Sequence, residues 1–187
     1  MALHDEPELR AAWAVLEHQV AAFCVETLRL PAGSVVTMFG GLSDEVDLVA
    51  GVMGRLRYAG LRTALFGLCH DESGTRKTGE MEAFLVDNAR QVRRGRFGVW
   101  EPDVETTQVL KPEELSVILL PGLFFTLEGA RLGRGGGFFD RYLARTTAAT
   151  LRAGVALDWQ LVESLPLEPH DQKMDWLITE KRVIQCR

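Results

Sequence analysis

At 187 residues the chain is long enough for one sizeable core and short for two, so a single domain is expected. Its 47% apolar and 25% charged residues are ordinary for a globular protein, and a net charge of -5 argues against a broad basic face for nucleic acid. No apolar run approaches bilayer length, and the opening MALHDEPELR lacks the form of a secretory leader, so neither membrane insertion nor export is expected.

Over residues 8–30, Leu9, Trp13, Leu16, Val20, Phe23 and Leu28 recur at helical spacing, and Pro31 with Gly33 ends the run. Residues 34–39 (SVVTMF) read as a buried strand, after which Gly40 and Gly41 turn the chain. Ser43 or Asp44 is expected to cap a helix with the apolar face Val46, Val49, Val52, Met53 and Leu56, which Gly60 terminates. A second strand is predicted over 62–68, and the polar stretch 70–80 reads as a surface loop. Between 81 and 110 the pattern is ambiguous, with a helix expected around 86–93. Pro112-Glu113-Glu114 turns into 115–120 (LSVILL), apolar except at Ser116, as in a strand covered on both faces. A glycine-rich loop, a helix over about 138–146 and strands over 153–157 and 176–179 follow. Strands alternating with helices imply one three-layer α/β/α domain with a mostly parallel central sheet. Cys24, Cys69 and Cys186 are odd in number and far apart, forming neither a disulfide framework nor a CxxC metal site, so a reduced, cytoplasmic compartment is expected.

The chemistry concentrates in residues 121–141, PGLFFTLEGARLGRGGGFFDR. Gly133, Gly135, Gly136 and Gly137 lack Cβ atoms, so a phosphate chain can approach their backbone, and their N–H groups can cradle an anion. Arg131, Arg134 and Arg141 add forked positive charge, and Asp140 is placed to hold magnesium against the phosphates. No GK[ST] follows, so this is not a Walker A loop, and it is not GxGxxG opening from a strand. As pattern alone, a glycine turn that only lets a helix pack tightly is the competing reading.

The same segment resembles the signature of the 5-formyltetrahydrofolate cyclo-ligase (5,10-methenyltetrahydrofolate synthetase) family, approximately PGxxFDxxGxRLGxGxGYYDR. Further similarity runs in order along the chain: Asp44-Glu45-Val46-Asp47, Met81 with Phe84, Phe97-Gly98-Val99-Trp100-Glu101-Pro102, Gly154-Val155-Ala156, Leu165-Pro166, Glu168-Pro169-His170-Asp171 and the stretch 175–180. The resemblance implies a NagB/RpiA/CoA-transferase-like (Rossmann-like) fold and ATP-dependent closure of 5-formyltetrahydrofolate to 5,10-methenyltetrahydrofolate with release of ADP and phosphate. In the family's proposed chemistry the formyl oxygen attacks the γ-phosphate, N10 attacks the resulting iminium carbon, and phosphate leaves. By matching position, Arg131, Leu132, Gly133, Arg134, Gly135, Gly136, Gly137, Phe138 and Phe139 would line ATP, with Arg10 from the N-terminal helix. Arg134, Gly135, Gly136, Gly137 and Phe138 would also face the folate, which Glu45 would hydrogen-bond and Met81 and Phe97 would pack against. Asp140 and Asp171 would hold Mg2+, Asp175 being the other candidate for the second position.

The partners so implied are a reduced folate, polyglutamylated forms included, with no nucleic acid or membrane and a monomer or weak homodimer. Four departures stand out. The family's N-terminal lysine is replaced by an acidic stretch (Asp5, Glu6, Glu8), its FD aspartate is Thr126, a strand-ending proline has no counterpart in Phe66-Gly67-Leu68-Cys69, and its YY pair is Phe138-Phe139. Loss of two hydroxyls opens an alternative, an impaired paralogue that binds folate or nucleotide without turnover. A layered sheet with an anion cradle would also serve a sugar-phosphate isomerase.

Overall fold

The computed structural model describes residues 7–70, 77–95, 98–168 and 170–187. Helix α1 (Pro7–Ala22) widens into a π-helical segment, Phe23–Thr27, and Arg29 in left-handed conformation (φ 49°) marks the exit. Strand β1 (Val35–Met38) leads to two short helices, α2 (Leu48–Gly51) and α3 (Met53–Tyr58). The single helix expected here is split at Val52, whose φ of -117° departs from helical geometry, and its cap is Asp47 rather than Ser43 or Asp44. Next come β2 (Arg62–His70), β3 (Lys77–Val86), β4 (Val92–Arg94), β5 (Trp100–Pro102), β6 (Gln108–Leu110) and β7 (Val117–Leu120). The chain closes with β8 (Phe124–Phe125), β9 (Arg131–Leu132), α4 (Phe138–Leu143), β10 (Leu151–Val155), β11 (Trp176–Ile178) and β12 (Val183–Gln185).

Two further expectations change. The helix around 86–93 is absent: β3 runs to Val86, and an Asn88–Gln91 capping box closes a single 3-10 turn, Ala89–Gln91, before β4. The expected loop 70–80 is β-structure at both described ends, because β2 and β3 pair antiparallel with Leu68 opposite Met81; residues 71–76 lie outside the described part.

The main sheet has the order β12-β11-β10-β7-β1-β2-β3-β6. Its five middle strands, β11 to β2, are mutually parallel; β12 and β3 run antiparallel to them at the two ends, and β6 pairs antiparallel with β3 to finish that edge. Side chains alternate between two cores, as a period of two requires. Val36, Met38, Val117 and Leu119 meet α1, α2 and α3 on one face, while Val35, Ile118, Leu120 and Phe66 meet Tyr142 and Leu143 of α4 on the other. Burial on both faces explains why β1 and β7 read as unbroken apolar runs. Among the described residues no helix is long and apolar enough to cross a membrane.

After β1 the chain moves outward to β2 and later returns to place β7 on the opposite side of β1. Strand order therefore reverses between β1 and β7, and in open α/β sheets ligands bind beyond the strands' carboxyl ends at such a point.

Candidate functional site at the β1/β7 reversal

A narrow crevice of about 10 Å³ opens at that reversal. Its lining includes Phe39, Glu45 and Val46 after β1, Pro121 and Gly122 after β7, Val155 at the end of β10, and Trp13 and Gln160. Beside it lies a larger cavity of about 410 Å³, lined by Gly41, Leu42, Ser43, Glu45, Asp47, Arg94 and Gly98. That volume suits a small organic molecule, while the crevice holds about one water. Glu45 borders both.

The turn carrying Glu45 depends on two glycines. A Cβ at Gly40 would collide with the Trp100 carbonyl oxygen, and Gly41 adopts φ +67°, a conformation few other residues take. The Glu45 carboxylate accepts the Leu42 amide at 2.9 Å, closing its own turn. Its side chain is only 15% exposed. Burial pushes its carboxyl above the ordinary range, against the Leu42 amide and Arg134, which favour the charged form, while Asp44 adds to the rise.

Strand β7 ends at Pro121-Gly122, and the β8–β9 hairpin then delivers the glycine loop. Gly135 and Gly137 take positive φ (+83° and +62°), and Arg134, Gly135 and Gly136 are exposed, so the loop is a surface turn beside the crevice and not part of the core. Its three arginines have different surroundings. Arg134 reaches across to the acidic turn, donating to Asp44 at 2.6 Å and to Glu45 at 3.5 Å. Arg141 braces the loop by donating to the Gly136 carbonyl at 3.0 Å, its guanidinium 5.0 Å from the Phe138 ring centre. Arg131 points inward: its side chain is 3% exposed, pairs with Asp140 at 2.9 Å and donates to the Pro121 carbonyl at 3.4 Å. The adjacent aromatics also divide, Phe138 being exposed while Phe139 packs against both cores and edge-on to Phe66.

Asp140 and Asp171 lie on neighbouring segments, since the amide of Gln172 faces Asp140 Oδ1 at 3.4 Å. Asp171 Oδ2 accepts the Glu168 amide at 2.8 Å. Asp175 is engaged elsewhere, bracketing β10 through the Arg152 amide at 2.8 Å. Among the described residues no cluster of three or more His, Cys, Asp or Glu side chains is placed to hold a metal. Two carboxylates nevertheless match magnesium delivered with a polyphosphate, which keeps water and phosphate oxygens as its other ligands.

Of the residues singled out in the sequence, the fold gathers Glu45, Arg134 and the glycine loop at one place, with Asp140 behind Arg131. Arg10 is exposed on α1, one turn before Trp13 of the crevice. Met81 sits on β3, packed on the α4 side, and lines neither cavity. Phe97 lies outside the described residues. Trp13 and Gln160 carried no functional signal in the sequence. Gln160 pins its 3-10 turn to the site by donating Nε2 to the carbonyls of Gly122 and Leu123 at 2.9 and 3.0 Å.

Comparison with known proteins adds an independent line. The sequence pattern of the 5-formyltetrahydrofolate cyclo-ligase family matches residues 70–180. A 5-formyltetrahydrofolate cyclo-ligase of Mycolicibacterium smegmatis is 41% identical over 88 residues, 47% of this chain and 45% of that protein. The Escherichia coli cyclo-ligase is 38% identical over 89 residues, covering 47% and 49%. The matches thus span about half the length of these curated relatives. Over the full chain the backbone resembles the NMR structure of Aquifex aeolicus 5,10-methenyltetrahydrofolate synthetase, with a TM-score of 0.76, 28% identity and 87% of that chain covered. A Mycoplasma pneumoniae synthetase shares the fold at a TM-score of 0.68 and 20% identity, over 92% of this chain and 87% of its own.

Proposed function

This chain belongs to the 5-formyltetrahydrofolate cyclo-ligase family, and we propose accordingly that it uses MgATP to close 5-formyltetrahydrofolate to 5,10-methenyltetrahydrofolate, releasing ADP and phosphate. The observation that carries the reading is the meeting, at the β1/β7 reversal, of an exposed glycine–arginine loop with a buried carboxylate beside a cavity of about 410 Å³. Family membership leaves the sugar-phosphate reading without support.

In this reading the 410 Å³ cavity takes the folate, with Glu45 accepting from the pterin N–H edge. The glycine loop takes the triphosphate on backbone amides and Arg134 supplies an exposed positive charge. Arg131, too buried to meet a phosphate from solution, instead holds Asp140 in place. Asp140 and Asp171 would hold the magnesium that arrives with ATP, Asp171 being preferred over Asp175 because Asp175 already brackets β10. Magnesium supplies charge neutralisation at the phosphates. The residues themselves exclude water, align the formyl oxygen with phosphorus and neutralise charge, which is what phosphoryl transfer asks of a protein. Phe97 and Arg10 keep the contacts the family resemblance implies, to the folate ring and to ATP, while Met81, which lines neither cavity, has no ring contact in this reading. Cys24, Cys69 and Cys186 form no disulfide, which suits a reducing compartment, and we assign it as the cytoplasm; one relative, from Arabidopsis thaliana, is mitochondrial. A monomer or weak dimer acting on mono- and polyglutamylated folate completes the proposal.

The test is direct: purified protein, 5-formyltetrahydrofolate and MgATP, followed by the near-ultraviolet absorbance of methenyl-folate. Turnover supports the proposal, and folded protein at high concentration without signal rejects it. Phe138→Tyr sharpens the test. The ring at 138 is the exposed one, so a hydroxyl added there meets solvent and ligand, whereas one at 139 enters the core. Phe138→Tyr is expected to raise turnover by about ten-fold, the worth of one good transition-state hydrogen bond.

A further inference from the structure

The 410 Å³ cavity contains a cation that the glycine loop does not supply. Arg94 on β4 lines it, with the side chain about half exposed at 49%. Three contacts fix its guanidinium: Nη2 donates to Asp47 Oδ2 at 2.7 Å, Nη1 donates to the Gly98 carbonyl at 2.6 Å, and the central carbon lies 3.9 Å from the Trp100 ring centre. Trp100 donates its indole N–H to the same Asp47 oxygen at 2.9 Å, and the other Asp47 oxygen accepts the Ala50 amide at 3.0 Å. The hydrogen bonds use two of the five guanidinium donors, and the others have no partner among the described residues.

The arrangement can be a brace that ties the β4–β5 hairpin to the start of α2. A brace, however, has no need of an open ligand-sized space on its free side. Fixing a long side chain before a ligand arrives removes the ordering cost that binding would otherwise carry, and a guanidinium held by stacking keeps its fork aimed at planar oxygen acceptors. The same cavity is lined by Glu45, an acceptor. A ligand complementary to both side chains has N–H donors for the carboxylate and an acceptor oxygen for the guanidinium. Folate has that pattern, with its pterin amino edge, its ring carbonyl and the carboxylates of its glutamate tail.

We propose that Arg94 is a specificity-determining residue of the substrate cavity, donating to an acceptor oxygen of the bound folate, with Asp47 and Trp100 as its positioning residues. The proposal rests on the folate reading of the same cavity and adds to it a second polar anchor besides Glu45.

Steady-state kinetics on Arg94→Met, Arg94→Lys and Asp47→Asn provide the test, with thermal melting to establish folding. Arg94→Met is expected to raise KM for 5-formyltetrahydrofolate by about ten-fold or more, the value of a hydrogen bond to a charged group, and to leave KM for MgATP within about two-fold. Arg94→Lys should fall between Met and wild type, since charge survives and the fork does not. Asp47→Asn keeps an oxygen for the Ala50 amide and loses the ionic hold on Arg94, so a smaller rise of about three-fold is expected. A tail-less 5-formyltetrahydropterin separates the two oxygen sources: a penalty that persists assigns the ring carbonyl, and one that vanishes assigns the glutamate carboxylates. Unchanged KM for folate in Arg94→Met, or equal rises in both KM values, overturns the proposal while the family activity stands. If wild type binds folate without turnover, calorimetric Kd ratios replace KM with the same expectations. A wild type that neither binds nor converts folate removes both readings together.

Discussion

Glu45 lines both cavities, and its position costs the fold something. A carboxyl 15% exposed, in contact with its own turn and near Asp44, holds its proton more tightly in the native chain than the ordinary value of 4.5 implies, chiefly through burial. A group whose pKa is raised by folding stabilises the native state most below its unfolded pKa, and that contribution is lost as pH climbs through the folded one. Glu45→Gln keeps the shape without the charge, and the Arg134 contact it forfeits weighs less on this carboxyl than burial does. The variant should therefore melt close to wild type near pH 5 and above it at pH 8, while folate affinity falls. An equal or reversed melting difference at the two pH values would remove burial of charge as the cause. Glu45 was legible only through the family pattern, because an acid at a helix start has a dipole explanation of its own. Thr126, where the family has aspartate, finds its reason only in the structure. The residue is buried and its hydroxyl accepts the Ala130 amide at 3.3 Å, so the turn keeps a side-chain oxygen without a charge.

The elements most legible in the sequence are those with one decisive cause. Strands β1, β2, β7, β10 and β11 are covered on both faces or nearly so, and each produced an apolar run at about the right place. Strands β4, β5, β6, β8, β9 and β12 are two or three residues long and partly exposed, so partners and turns define them and composition does not. The hairpin β8–β9 carries the glycine loop, and its Phe125 packs closely against β10 at one position, Gly154. A Cβ at Gly154 would lie 2.5 Å from Phe125 Cε1 and 2.8 Å from Leu177 Cδ2, both in buried side chains. Gly154→Ala is expected to cost about 1–3 kcal/mol by overpacking, lowering Tm by roughly 2–10 °C in a chain of this size. Gly54→Ala in α3 meets nothing within 4 Å and should be neutral or slightly stabilising. Equal melting temperatures for the two variants would mean that the β10 backbone shifts freely, and that the hairpin is not seated on it as described.

At the scale of the molecule, the alternation of strands and helices foretold the layered sheet, but the reversal between β1 and β7 required the strand order itself. That reversal brings together side chains ninety residues apart, Asp44 and Arg134, at 2.6 Å. Arg134 thereby spans the space between the glycine loop and the carboxylate of the larger cavity. One guanidinium cannot serve the acidic turn and an incoming phosphate equally, and a ligand shifts a conformational balance only through such differential contacts. If the proposed function holds, nucleotide that draws Arg134 onto its phosphates would release Glu45 for the folate, so each ligand should favour the other. Calorimetry with a non-hydrolysable ATP analogue and magnesium is expected to show folate binding tightened by about ten-fold, a coupling of ~1.4 kcal/mol. In Arg134→Met the latch is gone: Glu45 is accessible from the outset, folate affinity without nucleotide rises toward the coupled value, and added nucleotide changes it by less than about two-fold. Coupling that survives intact in Arg134→Met would show that the two halves of the site communicate by some route other than this arginine, and coupling absent from wild type would show that they do not communicate at all.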